Sequence, residues 1–201
     1  MNQNSKGQLA SLDLQLEKQN IRRHFKSLLS RISGDDRRLY EFDLKKNLEA
    51  FFFEKGSKAG VWASYMPMAT EANPHVEIPN VVWAYPKAFD EEMRFFTSTQ
   101  GAAFEQSSLG ILEPNETNSQ EVEKKDILGV LVPGLAFTKT GKRLGRGKAY
   151  YDKYLNNFQG IKVGLAFHVQ LAADIPCEEH DVTMDFIVTN ETTITCEDYN
   201  G

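Results

Sequence analysis

The chain reads as an α/β protein: a single three-layer sandwich with a largely parallel central sheet flanked by helices. Three observations lead there. Two stretches with helical spacing come first. Short apolar runs then alternate with helical or loop segments. One run, ILGVLVPGLAF at 127–137, is apolar without alternation, as strands covered on both faces of a parallel sheet are.

Residues 1–8 are polar and predict a flexible extension, with one domain over 9–201. Leu14, Ile21, Phe25, Leu28 and Ile32 share one helical stripe, and Gly34 ends that helix. Asp35 and Asp36 suit the N-terminus of a second helix through Leu39, Phe42, Leu48 and Phe52, stopped at Gly56. Strands follow at 60–67, 81–86 and 93–98, rich in β-branched and aromatic residues. The polar segment 114–125 reads as a surface loop. After the strand at 127–137 come a glycine-rich basic loop, a helix over 147–156, and strands at 161–167 and 185–190.

With 201 residues the chain is long enough for one well-buried core. It has 41% hydrophobic and 25% charged residues, no apolar run of membrane-spanning length and no apolar N-terminal core. A cytoplasmic location is expected, with no membrane partner. The net charge of -5 argues against a nucleic-acid partner, and no obligate protein partner is evident. Cys177 and Cys196 stand in no C-x-x-C pair and read as inert, and four scattered histidines offer little to zinc.

If an acidic chain binds an anion, the positive field must be local, and one segment supplies it. FTKTGKRLGRGKAYYDKYL, 137–155, carries six basic residues from Lys139 to Lys153 against the single acid Asp152. Gly141, Gly145 and Gly147 allow tight turns whose amides can face an anion, and a helix start follows. Bare amides, a helix start and cations together suit a polyphosphate. The loop is not a Walker A motif, since position 142 is Lys and position 149 is Ala, and it lacks the third glycine of a dinucleotide fingerprint. On pattern alone, a solvated basic turn explains it as well as phosphate binding does.

The stretch PGLAFTKTGKRLGRGKAYYDKYL resembles the signature of the 5-formyltetrahydrofolate cyclo-ligases, G-x-R-L-G-x-G-x-G-Y-Y-D behind a Pro-Gly strand end. Lys18 and Arg22 resemble the family's K-x-x-x-R; Tyr65, Pro67 and Glu71 its Y-x-P-x-x-x-E; LGILEP at 109–114 its G-I-x-E-P; and Gln170, His180, Asp181, Asp185 and Thr189 its C-terminal pattern. Three departures stand out. Ala149 replaces the loop's third glycine, Thr138 stands where the family often has Asp, and the segment from Glu71 to Pro86 is shorter, with Pro74 and Pro79 disfavouring a helix.

The resemblance implies an enzyme using ATP to cyclise 5-formyltetrahydrofolate to 5,10-methenyltetrahydrofolate, with ATP and a reduced folate as its partners. It implies that ATP is held by Lys18, Arg22, Arg143, Gly145, Arg146, Gly147, Lys148, Ala149, Tyr150 and Tyr151. Arg146 and Lys148 would be the catalytic cations. Arg22, Glu71 and Tyr151 would contact the folate, and Asp152 and Asp181 would hold Mg2+. Read singly, Asp152 is also a helix-start acid, Asp181 a turn former, and Lys18 and Arg22 solvated face charges. Two other readings stay open: a small-molecule kinase on the same scaffold, and a catalytically weakened folate- or nucleotide-binding relative.

Overall fold

The computed structural model describes residues 3–55, 59–90, 92–98, 104–107, 110, 112–178 and 181–196. Leu109, Ile111 and His180 of the resemblance, and the expected helix stop Gly56, lie outside them. Helix α1 (Gln3–Ser30) takes in most of the stretch expected as a flexible extension and stops earlier than Gly34. Helix α2 (Gly34–Glu54) begins where Ser33 caps it, the Ser33 side chain accepting from the Asp36 N–H.

The packed stripe of α2 differs from the expected one. Leu44, Leu48, Phe51 and Phe52 are buried, whereas Leu39 and Phe42 face solvent. An apolar stripe three and four residues apart can be drawn on more than one side of a helix this rich in Leu and Phe, and packing selects one.

The main sheet has eight strands in the order β12-β11-β10-β7-β1-β2-β3-β6. These are β1 (Gly60–Ala63), β2 (Val81–Phe89), β3 (Glu92–Ser98), β6 (Ser119–Val122), β7 (Ile127–Pro133), β10 (Ile161–Leu165), β11 (Phe186–Val188) and β12 (Thr193–Thr195). The contiguous strands β11, β10, β7, β1 and β2 are mutually parallel, and β12, β3 and β6 join antiparallel at the edges. Two short hairpins complete the fold, β4 (Phe104–Gln106) with β5 (Leu112–Pro114), and β8 (Ala136–Phe137) with β9 (Arg143–Leu144).

β7 is central and doubly covered, as its composition predicts. Leu131 packs toward α1 and α2, and Val130 and Val132 pack toward the face that also holds Leu155 and Phe158. It ends at Pro133 rather than at 137, because the chain turns at Gly134 into the β8–β9 hairpin, with the Leu135 N–H bonded to the Leu144 carbonyl. The expected helix over 147–156 contracts to α3 (Tyr150–Leu155). The polar segment 114–125 hides an edge strand, β6, paired to β3. The expected strand at 60–67 ends at Ala63, the strand at 161–167 at Leu165, and the strand at 185–190 shortens to three residues. A parallel pair is commonly joined by a helix. Between β1 and β2 the connection is irregular instead, in line with Pro74 and Pro79. Among the described residues, no helix is long and apolar enough to cross a membrane.

Candidate active site

Strand order positions the site. From β1 the chain moves outward through β2 and β3 on one side; from β7, beside β1, it moves outward through β10 and β11 on the other. The loops leaving the C-terminal ends of β1 and β7 therefore part and open a crevice, the usual ligand position in open α/β sheets. A cavity of about 340 Å³ lies there. Its walls are the loop after β1 (Tyr65, Met66, Met68, Glu71), the basic loop after β7 (Arg143 to Asp152), α1 (Gln15, Lys18, Arg22), and Glu178 and Asp181. Pro86, Ala88 and Met93 of the β2–β3 hairpin and Glu113 of β5 close the far side.

All thirteen residues to which the resemblance assigns a ligand or catalytic role line this one cavity. They come from four separate parts of the chain, so their convergence is a property of the fold. The cavity is not simply basic, however. Lys18, Arg22, Arg143, Arg146 and Lys148 are matched by Glu71, Glu113, Asp152, Glu178 and Asp181.

Lys18 is buried, with Nζ 2.6 Å from Asp181 and 2.7 Å from Glu178. Burial alone lowers its pKa, but the hydrogen bonds and charges of Asp181 and Glu178 prevail and hold the ammonium above its ordinary value. Arg146 donates from Nε to Glu71 Oε1 at 2.7 Å and from Nη2 to Thr70 Oγ1 at 2.9 Å. The other Glu71 oxygen accepts from the Met68 N–H. Arg22 donates to the Gly145 carbonyl at 3.0 Å, tying α1 to the loop. Lys148 is exposed, and among the described residues it has no ion-pair partner.

Arg143 differs from the others. Only 4% of its side chain is exposed. Nη2 lies 2.8 and 2.9 Å from the two Asp152 oxygens, and Nη1 donates to the Pro133 carbonyl at 3.0 Å. Its guanidinium also faces the Tyr151 ring. Arg143 thus braces the start of α3 against the end of β7. Tyr151 is half-buried, and desolvation together with the nearby Glu71 charge pushes its phenol far above the usual range; Tyr150 donates to the Asp90 carbonyl. α3 has six residues and its first position is preceded by Ala149, which offers no capping side chain. A helix that short contributes little dipole, so side chains and loop amides supply the field.

The loop backbone is strained at one point. Gly147 has φ 102°, which glycine accepts, but Ala149 has φ 56°. A left-handed alanine costs about 1–2 kcal/mol. Ala149→Gly removes that cost while adding unfolded-chain entropy, so it should raise stability by a net of about 0.5–1 kcal/mol. A denaturation midpoint that does not rise would show that the position carries no such strain.

Asp152 and Asp181 both face the cavity, yet each already has a cation, Arg143 and Lys18 respectively. Among the described residues, no three His, Cys, Asp or Glu side chains cluster as a metal cage. Among the described residues Cys177 and Cys196 form no disulfide, and desolvation raises the pKa of the Cys177 thiol although the residue is exposed. Two further residues of the resemblance are structural. Gln170 donates to the Gly134 and Leu135 carbonyls beneath the loop, and Asp185 accepts from the Lys162 N–H beside β10. Sequence reasoning missed Glu178, the second anchor of Lys18, for which the sequence holds no signal. It also passed over Glu113, whose signal was its place in LGILEP.

Residues 15–190 match the 5-formyltetrahydrofolate cyclo-ligase family. The chain belongs to that family. A relative named 5-formyltetrahydrofolate cyclo-ligase from Mus musculus is 26% identical over 92% of this chain and 98% of its own. One from Haemophilus influenzae is 33% identical over 69% of this chain and 73% of its own. The NMR structure of the Aquifex aeolicus 5,10-methenyltetrahydrofolate synthetase superposes with a TM-score of 0.77 at 29% identity, covering 92% of this chain and 95% of that one. A synthetase of that name from Mycoplasma pneumoniae shares the fold, with a TM-score of 0.70 at 23% identity, over 87% of this chain and 99% of that one. The matched span includes the loop that here walls the crevice between β1 and β7.

Proposed function

We propose that this enzyme cyclises 5-formyltetrahydrofolate to 5,10-methenyltetrahydrofolate at the expense of ATP. The observation that carries the reading is the convergence of Lys18, Glu71 and the 143–152 loop on one cavity at the sheet's switch point. A formamide carbonyl is a poor electrophile and its oxygen a poor leaving group. Transfer of the γ-phosphoryl group to the formyl oxygen expels ADP and creates a good leaving group. The N10 amine then attacks the formyl carbon, loses its proton, and phosphate departs with the former formyl oxygen.

Such a site must align the formyl oxygen with the γ-phosphate and offset charge as it spreads over the phosphoryl oxygens. Arg146 and Lys148 are the cations we assign to that task, with Lys18, Arg22, the loop amides and Tyr150 holding ATP. Glu71 and Tyr151 face the folate, with Arg22 between the two ligands. Arg143 acts through Asp152 and the loop.

Mg2+ prefers hard oxygen ligands and takes one or two protein carboxylates, with phosphate and water completing its shell. Asp152 and Asp181 fit that requirement and would hold it. The ion would supply charge neutralisation at the phosphates. Because Arg143 and Lys18 already balance these carboxylates, the ion should arrive with ATP rather than be held by the protein alone. We place the enzyme in the cytoplasm on its composition, while noting that a plant relative is named as mitochondrial.

The test is to mix the protein with ATP, Mg2+ and 5-formyltetrahydrofolate and follow the methenyl chromophore. Chromophore growth that stops when a chelator is added is the expected result. ATP consumption with a phosphorylated product and no chromophore would favour a kinase, and ligand binding without turnover would favour a non-catalytic relative.

A further inference from the structure

One buried carboxylate in the cavity has no part in the chemistry above. Glu113 stands on β5 and is 9% exposed. Its neighbours in the wall are Pro86, Ala88 and Met93, on the side of the sheet away from β7. β2 is two strands from β7, which at about 4.8 Å per strand puts this end of the cavity about 10 Å from the root of the basic loop. The Ala88 backbone N–H and, more weakly, the Lys87 charge are the groups that favour the ionised form of Glu113. Among the described residues no cation lies within ion-pair distance of it. Lys87, the adjacent lysine, is turned to Glu105 and Glu116, at 2.8 and 3.0 Å.

An ionised carboxylate has roughly four acceptor positions. A nearby backbone N–H leaves most of them unused, in surroundings where burial penalises the charge and raises the group's pKa. A strut that only closed β5 onto β2 could be an amide or a hydroxyl at lower cost. A carboxylate beside apolar walls suits a flat ligand that presents two adjacent donors.

Of the groups the two substrates bring, the ribose diol of ATP and the pteridine edge present paired donors, and the apolar walls of Pro86, Ala88 and Met93 favour the flat pteridine. The triphosphate and the glutamate tail are anions and are repelled. The adenine edge alternates donor and acceptor. The 2-amino-4-oxo pyrimidine of the pteridine presents its N3–H and a 2-amino N–H side by side, the arrangement by which a guanidinium engages a carboxylate with two parallel bonds. We infer that Glu113 reads this donor edge of the reduced folate and so sets pteridine specificity at the apolar end of the cavity. The inference rests on the folate reading proposed above.

The experiment uses cyclisation by the full chain, with ATP and folate varied separately, and two substrates: 5-formyltetrahydrofolate and its analogue with a methyl group in place of the 2-amino group. Glu113→Gln keeps the size of the side chain but sets an N–H against one ligand donor. It should raise the KM for the folate by about 10- to 100-fold, the range for losing a hydrogen bond to a charged group. The KM for ATP should stay within about twofold, since the triphosphate is bound elsewhere. The wild type should discriminate against the methyl analogue by at least about tenfold, and Glu113→Ala should lose that discrimination. A merely structural Glu113 would not move the ratio between the two substrates. If Glu113→Ala does not fold, as judged by its melting transition, the KM split in Glu113→Gln decides. A wild type that cyclises, with an unchanged folate KM in Glu113→Gln, overturns this assignment alone. A wild type that cyclises no 5-formyltetrahydrofolate overturns the functional reading and this assignment with it.

Discussion

Arg146→Ala is expected to lower the turnover of cyclisation by about a hundred- to a thousand-fold, with a smaller effect on ATP affinity. The magnitude is that of removing one preorganised electrostatic group from a transition state. The reason for assigning it to Arg146 is its position. It lies between two glycines, so little bulk shields it, and its planar fork can follow charge over several phosphoryl oxygens. That fork is held by Glu71 and Thr70. The guanidinium is thereby kept at the cavity wall rather than free in solvent, and less ordering remains to be done when ATP binds.

Lys148→Ala should behave differently. Lys148 is exposed and among the described residues has no ion-pair partner, so its ammonium is a point charge open to ground-state phosphates. Its loss should weaken ATP binding as well as turnover. The measurement is steady-state cyclisation by both variants, with ATP affinity determined separately. Near-normal turnover in Arg146→Ala would remove Arg146 as the transition-state cation, and the loop would then be a basic turn neutralised by its own acids.

Arg143→Ala is expected to act on stability. Its guanidinium grips both oxygens of Asp152 and the Pro133 carbonyl. Truncation leaves a carboxylate and a carbonyl without their partner, and breaking a buried pair from one side costs about 3–5 kcal/mol. For a chain of this size, 3 kcal/mol corresponds to a melting temperature lowered by about 6–12 °C. Arg143→Lys should recover only part of the loss, since an ammonium cannot reproduce the fork. Thermal denaturation of both variants measures this, and ATP affinity of folded Arg143→Lys measures any direct contact with the nucleotide. A melting temperature unchanged in Arg143→Ala would contradict the brace.

Much of the architecture was legible in the chain because it rests on local composition. The unbroken apolar run around Leu131 marks a doubly covered strand, and the glycines and cations after it mark a loop that leaves a strand end. Strand ends were less legible. β7 stops at Pro133 although Leu135, Ala136 and Phe137 are as apolar as what precedes them, because those residues pair with β9 across a turn instead of continuing the sheet. β6 was invisible in a polar segment because an edge strand needs only a partner, and β3 is that partner.

The site divides in the same way. By itself the sequence determined the chemical types present, a cation-rich glycine loop and the acids and lysine that resemble a family pattern. Only the tertiary structure decided what each charge is committed to. Arg143 and Asp152 are nine residues apart and could be read as two ligand contacts, yet they neutralise each other. Lys18 finds Asp181 and Glu178 about 160 residues away. Arg146 meets Glu71 across the crevice, and Glu113 lines the cavity with no ion-pair partner among the described residues. The physical reason is range. Composition and periodicity report on the few residues around a position, whereas the state of a charge depends on its burial and on the opposite charge within about 4 Å, which strand order sets from distant parts of the chain.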